Sequence, residues 1–182
     1  MDNYLDFVFL SQKAHENAVS HGFWDERHPT EHCLMLIITE ISEAVEADRK
    51  GRRADVEMYE AERLADMDSG KAFERHIKDT VDDEFADVMI RLADQAGALH
   101  IDFDKLMTPR YFRQFSNYLF TENAFALVRG LCRQDININK RIQWGLVYVK
   151  MWSESLHINI AWHIEQKMRF NATGEAKHGK AY

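Results

Sequence analysis

"CLMLIITEISEAVEADRKG", residues 33–51, decides the fold class. At about 100° per residue, Leu34, Ile37, Ile38, Ile41 and Val45 form one stripe, the core face of an amphipathic helix. That helix runs from about His32 to Arg49 and is stopped by Gly51. Glu40 and Glu43 lie one helical step apart on the opposite side, in a second stripe shared with Leu36 and Ala47. Their surroundings are small and apolar, so each carboxylate raises the cost of ionising the other.

The same period extends in both directions. Tyr4, Leu5, Phe7, Val8 and Leu10 open a first helix that Gly22 closes. "FWDERHPTEH" (23–32) is a loop ending near Thr30, read as an N-cap with Glu31 beside it. "RRADVEMYEAERLADMDSG" (52–70) reads as a loop and a short surface helix ended by Gly70. Lys71 to His100 reads as the longest helix, with Ile77, Val81, Phe85, Val88, Leu92 and Leu99 on its core face. Glu84 and Asp87 lie opposite, with Thr80 and Arg91. Residues 104–170 hold at least two more helical segments, centred on "ENAFALVRGLC" and "QWGLVYVKMWSESL". No strand-like alternation of any length appears, so the fold is predicted to be all-α, a helical bundle in one domain spanning 1–182.

With 182 residues and 46% hydrophobic content the chain buries a proper core, and only two prolines and eight glycines interrupt it. The net charge of −7 is spread along the chain, which argues against a nucleic-acid polymer or an anionic membrane as partner. Cys33 and Cys132 each lie in an apolar helical context and read as buried free thiols. The first residues lack the basic region of a signal peptide, and no apolar run approaches the ~20 residues of a membrane span. A cytoplasmic location is the expectation.

Two helices therefore each offer an acidic pair at i and i+3: Glu40 with Glu43, and Glu84 with Asp87. Brought together, four carboxylates repel unless they hold protons or cations, and hard oxygen ligands of this kind suit Mg2+ or Mn2+. A di-iron carboxylate bundle needs Glu-x-x-His steps, and neither pair has the histidine.

At these residues the chain resembles the all-α nucleoside triphosphate pyrophosphohydrolases, the MazG-like superfamily. The hallmark of that family is ExxE on one helix and ExxD on the next, here Glu40 and Glu43, then Glu84 and Asp87. "GFWDE" (22–26), "ADRKGRRADVE" (47–57), "FERHIKDTVDDEFADVMIRLADQAG" (73–97) and the ending "IEQKMRFNATGEAKHGKAY" (164–182) are similar to a subgroup with an insertion between the pairs. The resemblance covers about residues 20–104 and 161–182. It implies a metal-binding helix pair over about 30–104 and a C-terminal substrate-contacting segment over 161–182. It further implies hydrolysis of a nucleoside triphosphate to the monophosphate and pyrophosphate, with Glu40, Glu43, Glu84 and Asp87 as catalytic metal ligands for Mg2+ or Mn2+. One carboxylate is left open as a general base.

The same resemblance matches Lys167 and Asn171 to a lysine and asparagine that approach the substrate's phosphates and sugar. Lys177, His178 and Lys180 form a tail that could close over an anion. Trp24, after a glycine in a loop, could stack on a base or pack beneath the loop. Lys50, Arg52 and Arg53 read as complements to a helix C-terminus. The competing functions are a non-catalytic helical interaction module and a phosphohydrolase acting on another phosphorylated metabolite.

The region 105–160, outside the resemblance, carries a faint repeat. "LHIDF" (99–103) recurs as "LHINI" (156–160), and "TEISEAVEA" has an echo from Thr121 in which Phe125 stands for Glu43. A degenerate second helix pair would supply within the chain the partner that single-pair family members find by dimerising, with the acids of the first pair facing it. The alternative is an insertion that enlarges the bundle or serves a homo-oligomer.

Overall fold

The computed structural model describes residues 5–65, 68–104 and 114–172, folded into eight α-helices and one 3-10 turn with no strand among them. Six helices begin at a side chain that accepts from the free N–H groups of the first turn, which have no partner inside the helix. Asp6 caps α1 (Phe7–Ser20), Asp55 caps α3 (Val56–Leu64) and Asp68 caps α4 (Ser69–His76). Thr80 caps α5 (Val81–Ala98), Asn137 caps α7 (Ile138–Ser155) and Asn159 caps α8 (Ile160–Asn171). In α6 (Phe120–Leu131) Glu122 bonds back to the Leu119 N–H at 2.8 Å. In α2 (Thr30–Arg49) the cap position falls on Pro29, and Thr30 is the first helical residue rather than the cap.

The helix expected from Lys71 to His100 is two helices, and Gly70 lies in the first turn of α4 instead of ending a segment. Helix α4 ends at His76 with Ile77 as its C-cap, and Asp79 then takes the left-handed region at φ 59, a cost for a non-glycine residue, so the helix does not run on into α5. Thr80 then accepts from the Asp83 N–H at 3.2 Å and restarts the chain as α5. Ile77 and Val81 are both buried, each 1% exposed, so the apolar phase runs unbroken across the break and conceals it from periodicity. Gly22 at φ 80 and Gly51 at φ 64 follow α1 and α2, as their position in the sequence indicates.

Helix α5 is the centre of the molecule. Twelve of its eighteen residues are buried, and α1, α2, α7 and α8 all lie against it. The helices α2, α5, α7 and α6 contact one another in a closed ring, so a second helix pair, α6 with α7, does pack on the first. Phe85 of α5 and Phe120 of α6 meet Trp152 of α7 at ring-centroid distances of 4.7 and 4.6 Å. Burying each such ring contributes about 1.5–3 kcal/mol. A smaller core of Tyr59, Phe73 and Ile77 joins α3 and α4 to Trp162 and Phe170 of α8.

Two expectations need correction. Cys132 is exposed, because it is the C-cap of α6, where the chain turns toward solvent, while Cys33 is half-buried. The acids of α2 and α5 do not face α6 and α7: the cavity they border is lined from α1, α2, α5, α8 and the connecting loops. The ring interior takes the apolar faces, and the acids occupy the flank of α5 toward α8 and α1. No described helix is long and apolar enough to cross a membrane.

Helices α1 and α5 approach so closely at Gly97 that a Cβ there would lie 2.7 Å from the Ser11 carbonyl oxygen and 2.6 Å from His15 Cβ. The oxygen is backbone and cannot step aside. Gly97→Ala is expected to lower stability by about 1–3 kcal/mol through separation of the two helices, read as a lower denaturation midpoint; an unchanged midpoint would show that the approach is not tight.

Candidate metal centre

Five acids line the buried and half-buried flank of α5, and four of them have a basic or donor group brought to them by another element. Asp82 accepts from Arg53 Nε at 2.8 Å, and Asp83 takes Lys167 Nζ of α8 at 2.9 Å. Asp87 takes the same Lys167 at 2.7 Å. Asp94 accepts from Trp24 Nε1 at 2.9 Å and contacts His15 Nδ1 at 2.8 Å. Glu84 is different. It is 4% exposed, it has no side-chain hydrogen bond or ion pair with a described residue, and its Oε2 is buried without a partner.

Glu40 comes to this flank from α2. It is 4% exposed and accepts from Arg91 Nε. Glu40, Glu84 and Asp87 each present a carboxylate oxygen within 4.8 Å of the others. Oxygen ligands at about 2.1 Å from a small hard cation lie roughly 3–4 Å apart, so a modest side-chain rotation closes the set. The orphaned Oε2 of Glu84 and the all-oxygen donor set fit a hard divalent cation. Three of the four expected ligands thus converge. Glu43, the fourth, is exposed and outside the triad, although it borders the same cavity. A step of three residues turns the helix by about 300°, enough to bury one acid and expose the next.

The electrostatics agree. Burial pushes the Glu84 carboxyl up to about 9, and the neighbouring Asp87 and Asp83 charges add to it. Burial also raises Glu40, against the pull of Arg91. For Lys167 burial acts downward, but Asp87 and Asp83 outweigh it and hold the ammonium protonated well above the usual lysine range.

The cavity beside the triad has a volume of about 370 Å³, within the range of small-molecule sites. Trp24, Lys167 and Asn171 all border it. Lys167 is 8% exposed and committed to two carboxylates, so it belongs to the metal site's charge balance as much as to any phosphate. Trp24 is pinned to Asp94 through its ring N–H. Lys177, His178 and Lys180 lie outside the described residues. Arg53, read as a helix C-terminal complement, instead holds Asp82 in the first turn of α5, while Lys50, at the C-cap of α2, pairs with Glu46 in the last turn at 3.0 Å.

Sequence reasoning missed Asp83, Arg91, Asp94 and His15 as members of this network. A signal existed for the α5 residues: Asp83, Glu84, Asp87, Arg91 and Asp94 follow steps of one, three, four and three, which keeps them on one helical flank.

The Glu84 carboxyl keeps its proton to about pH 9 in the fold but only to about 4.5 in an unfolded chain. Its contribution to stability is therefore complete below pH 4.5 and is lost as pH rises through 9. In metal-free protein the melting temperature of the wild type is expected to fall over this window relative to Glu84→Gln. Added Mg2+ should raise the wild-type value more at pH 8 than at pH 6, since ligation displaces the proton. Parallel curves for the two proteins would contradict the protonated state. No family model, curated protein or solved structure matches the chain, so the chemistry of this site is the ground on which a function rests.

Proposed function

We propose that the protein is a nucleoside triphosphate pyrophosphohydrolase of the MazG-like type, releasing the monophosphate and pyrophosphate. The observation that carries this reading is the convergence of Glu40, Glu84 and Asp87, with an unpartnered buried Glu84 oxygen, on the edge of a 370 Å³ cavity. The ExxE and ExxD pairs and the flanking motifs that resemble the family support it. Glu40, Glu84 and Asp87 would hold Mg2+, or Mn2+ in its place. A cation bound there supplies charge neutralisation at phosphate oxygens and a lowered pKa for a bound water.

The chain's own groups account for the rest of the reaction. Glu43 is exposed at the cavity and has no ion pair among the described residues, so it is available to take the proton from a water whose oxygen attacks the α-phosphorus. The α–β anhydride bond breaks and its electron pair leaves with pyrophosphate. Arg91 and Lys167, which border the cavity as cations, offset the charge of the phosphate chain. The α6–α7 pair closes a four-helix ring within one chain, and in this reading it replaces the partner subunit of a dimer.

The test is a panel of canonical and damaged nucleoside triphosphates incubated with Mg2+ and assayed for pyrophosphate. Release of pyrophosphate with nucleoside monophosphate is the expected result. Orthophosphate alone would favour a phosphohydrolase of another metabolite, and no product from any substrate would favour an interaction module. Glu84→Gln and Asp87→Asn should each lower turnover by roughly 10²-fold or more. Glu84→Gln should leave the melting temperature at neutral pH equal or higher, because the amide is neutral without the proton that the Glu84 carboxyl must take up on folding; near-normal turnover at saturating Mg2+ would remove these residues from the site.

A further inference from the structure

The cavity has a second end, and its chemistry differs from the first. Asp94 lies seven residues after Asp87 on α5, on the same face and about 10 Å further along the axis. The reach from a nucleotide's α-phosphate across its sugar to the edge of its base is of that order. Asp94 Oδ1 takes both local donors, His15 Nδ1 at 2.8 Å and Trp24 Nε1 at 2.9 Å, which fills its two lone pairs. Oδ2 accepts no hydrogen bond from any described residue, and Asp94 borders the cavity with 21% of its side chain exposed. A half-buried carboxylate oxygen left open to a cavity calls for a donor from a ligand.

The walls at this end are flat rings and an aliphatic side chain: Trp24, His28, His32 and Leu36 all line the cavity. His28 and His32 are stacked with centroids 4.6 Å apart, and Trp24 approaches His28 at 6.4 Å. Such walls accept a planar heterocycle without selecting its edge. Asn17 and Gln95 also line the cavity, but an amide can turn either its oxygen or its nitrogen to a base and so does not select, whereas Asp94, the carboxylate among these walls, as an anion accepts only. The Trp24 ring N–H has no other role open to it, since it is donor-only and already spent on Oδ1.

We infer that Asp94 reads the substrate's base, accepting through Oδ2 a hydrogen bond from an exocyclic amine. Triphosphates of cytosine or adenine are then preferred over the carbonyl counterparts uracil, thymine and hypoxanthine. This rests on the pyrophosphohydrolase reading of the site. With a carbonyl in the amine's place, two acceptor oxygens face each other with no proton between them, away from bulk water.

The matched pairs that test it differ by one amine-to-carbonyl exchange: cytidine against uridine triphosphate, and adenosine against inosine triphosphate. Pyrophosphate release by the wild type should favour the amino member by about 10²-fold or more in kcat/KM. Asp94→Asn should invert the preference, because the amide oxygen keeps the bonds from His15 and Trp24 while the amide nitrogen donates to the carbonyl. Melting temperatures monitor the fold, and the wild-type ratio alone tests the inference where the variant does not fold. Turnover without discrimination between pair members overturns this inference and leaves the pyrophosphohydrolase reading standing. An equal loss on both members in Asp94→Asn, with its preference unchanged, reduces Asp94 to a tether for Trp24 and likewise overturns it. No turnover of any triphosphate removes both.

Discussion

Carboxylates packed along one flank of α5 set the terms for the rest of the structure. Each is costly to bury as an ion, and the fold offsets that cost by bringing a cation or donor to it from a different element. Arg53 reaches Asp82 from the loop after α2, and Lys167 ties α8 to Asp83 and Asp87. Trp24 and His15 bring α1 and the following loop to Asp94. Arg91, on α5 itself, reaches out to Glu40 and so fixes α2. The acids therefore organise the helices around α5 by the same charges that strain it. Asp83 keeps one buried oxygen unpartnered while its other holds Lys167, and Glu84, with a buried unpartnered Oε2, is the one acid of the set with no hydrogen bond or ion pair to a described side chain at either oxygen.

That exception is what makes a set of ion pairs a candidate metal site. A network that satisfied every acid would be a structural device, complete without a ligand. Here the unsatisfied oxygen, the two acids beside it and the cavity coincide. Lys167 and Arg91 then have a double character: they neutralise carboxylates in the metal-free protein, and they stand where the charge of a phosphate chain would arrive. Apolar packing is kept on the other faces of α5, where Phe85 and Leu92 are 2% and 0% exposed in the ring with α7 and α6. Separating the two faces lets one helix serve both core and chemistry.

The helical class and the two acid pairs were legible because both depend on spacing alone. Leu34, Ile37 and Ile41 are buried as the stripe in residues 33–51 requires. Spacing does not tell which polar stripe another element will cover, so Glu40 and Glu43 looked equivalent although one is buried and the other exposed. The break at Asp79 was hidden for a related reason: a left-handed residue interrupts the backbone without disturbing the apolar phase, and only the run Thr80, Asp82, Asp83, Glu84 marks a new helix start. Asp94 had no motif to announce it, because its partners His15 and Trp24 are 79 and 70 residues away in sequence. Cys132 follows an apolar run, but its place one residue past α6 puts it in solvent.

The central claim is that water attacks the α-phosphorus of a nucleoside triphosphate at the carboxylate flank of α5. Turnover in water enriched in heavy oxygen, with products separated and weighed by mass spectrometry, tests it most directly. One heavy oxygen should appear in the nucleoside monophosphate and none in the pyrophosphate. Label in the pyrophosphate or in orthophosphate would place the attack at another phosphorus and contradict the claim.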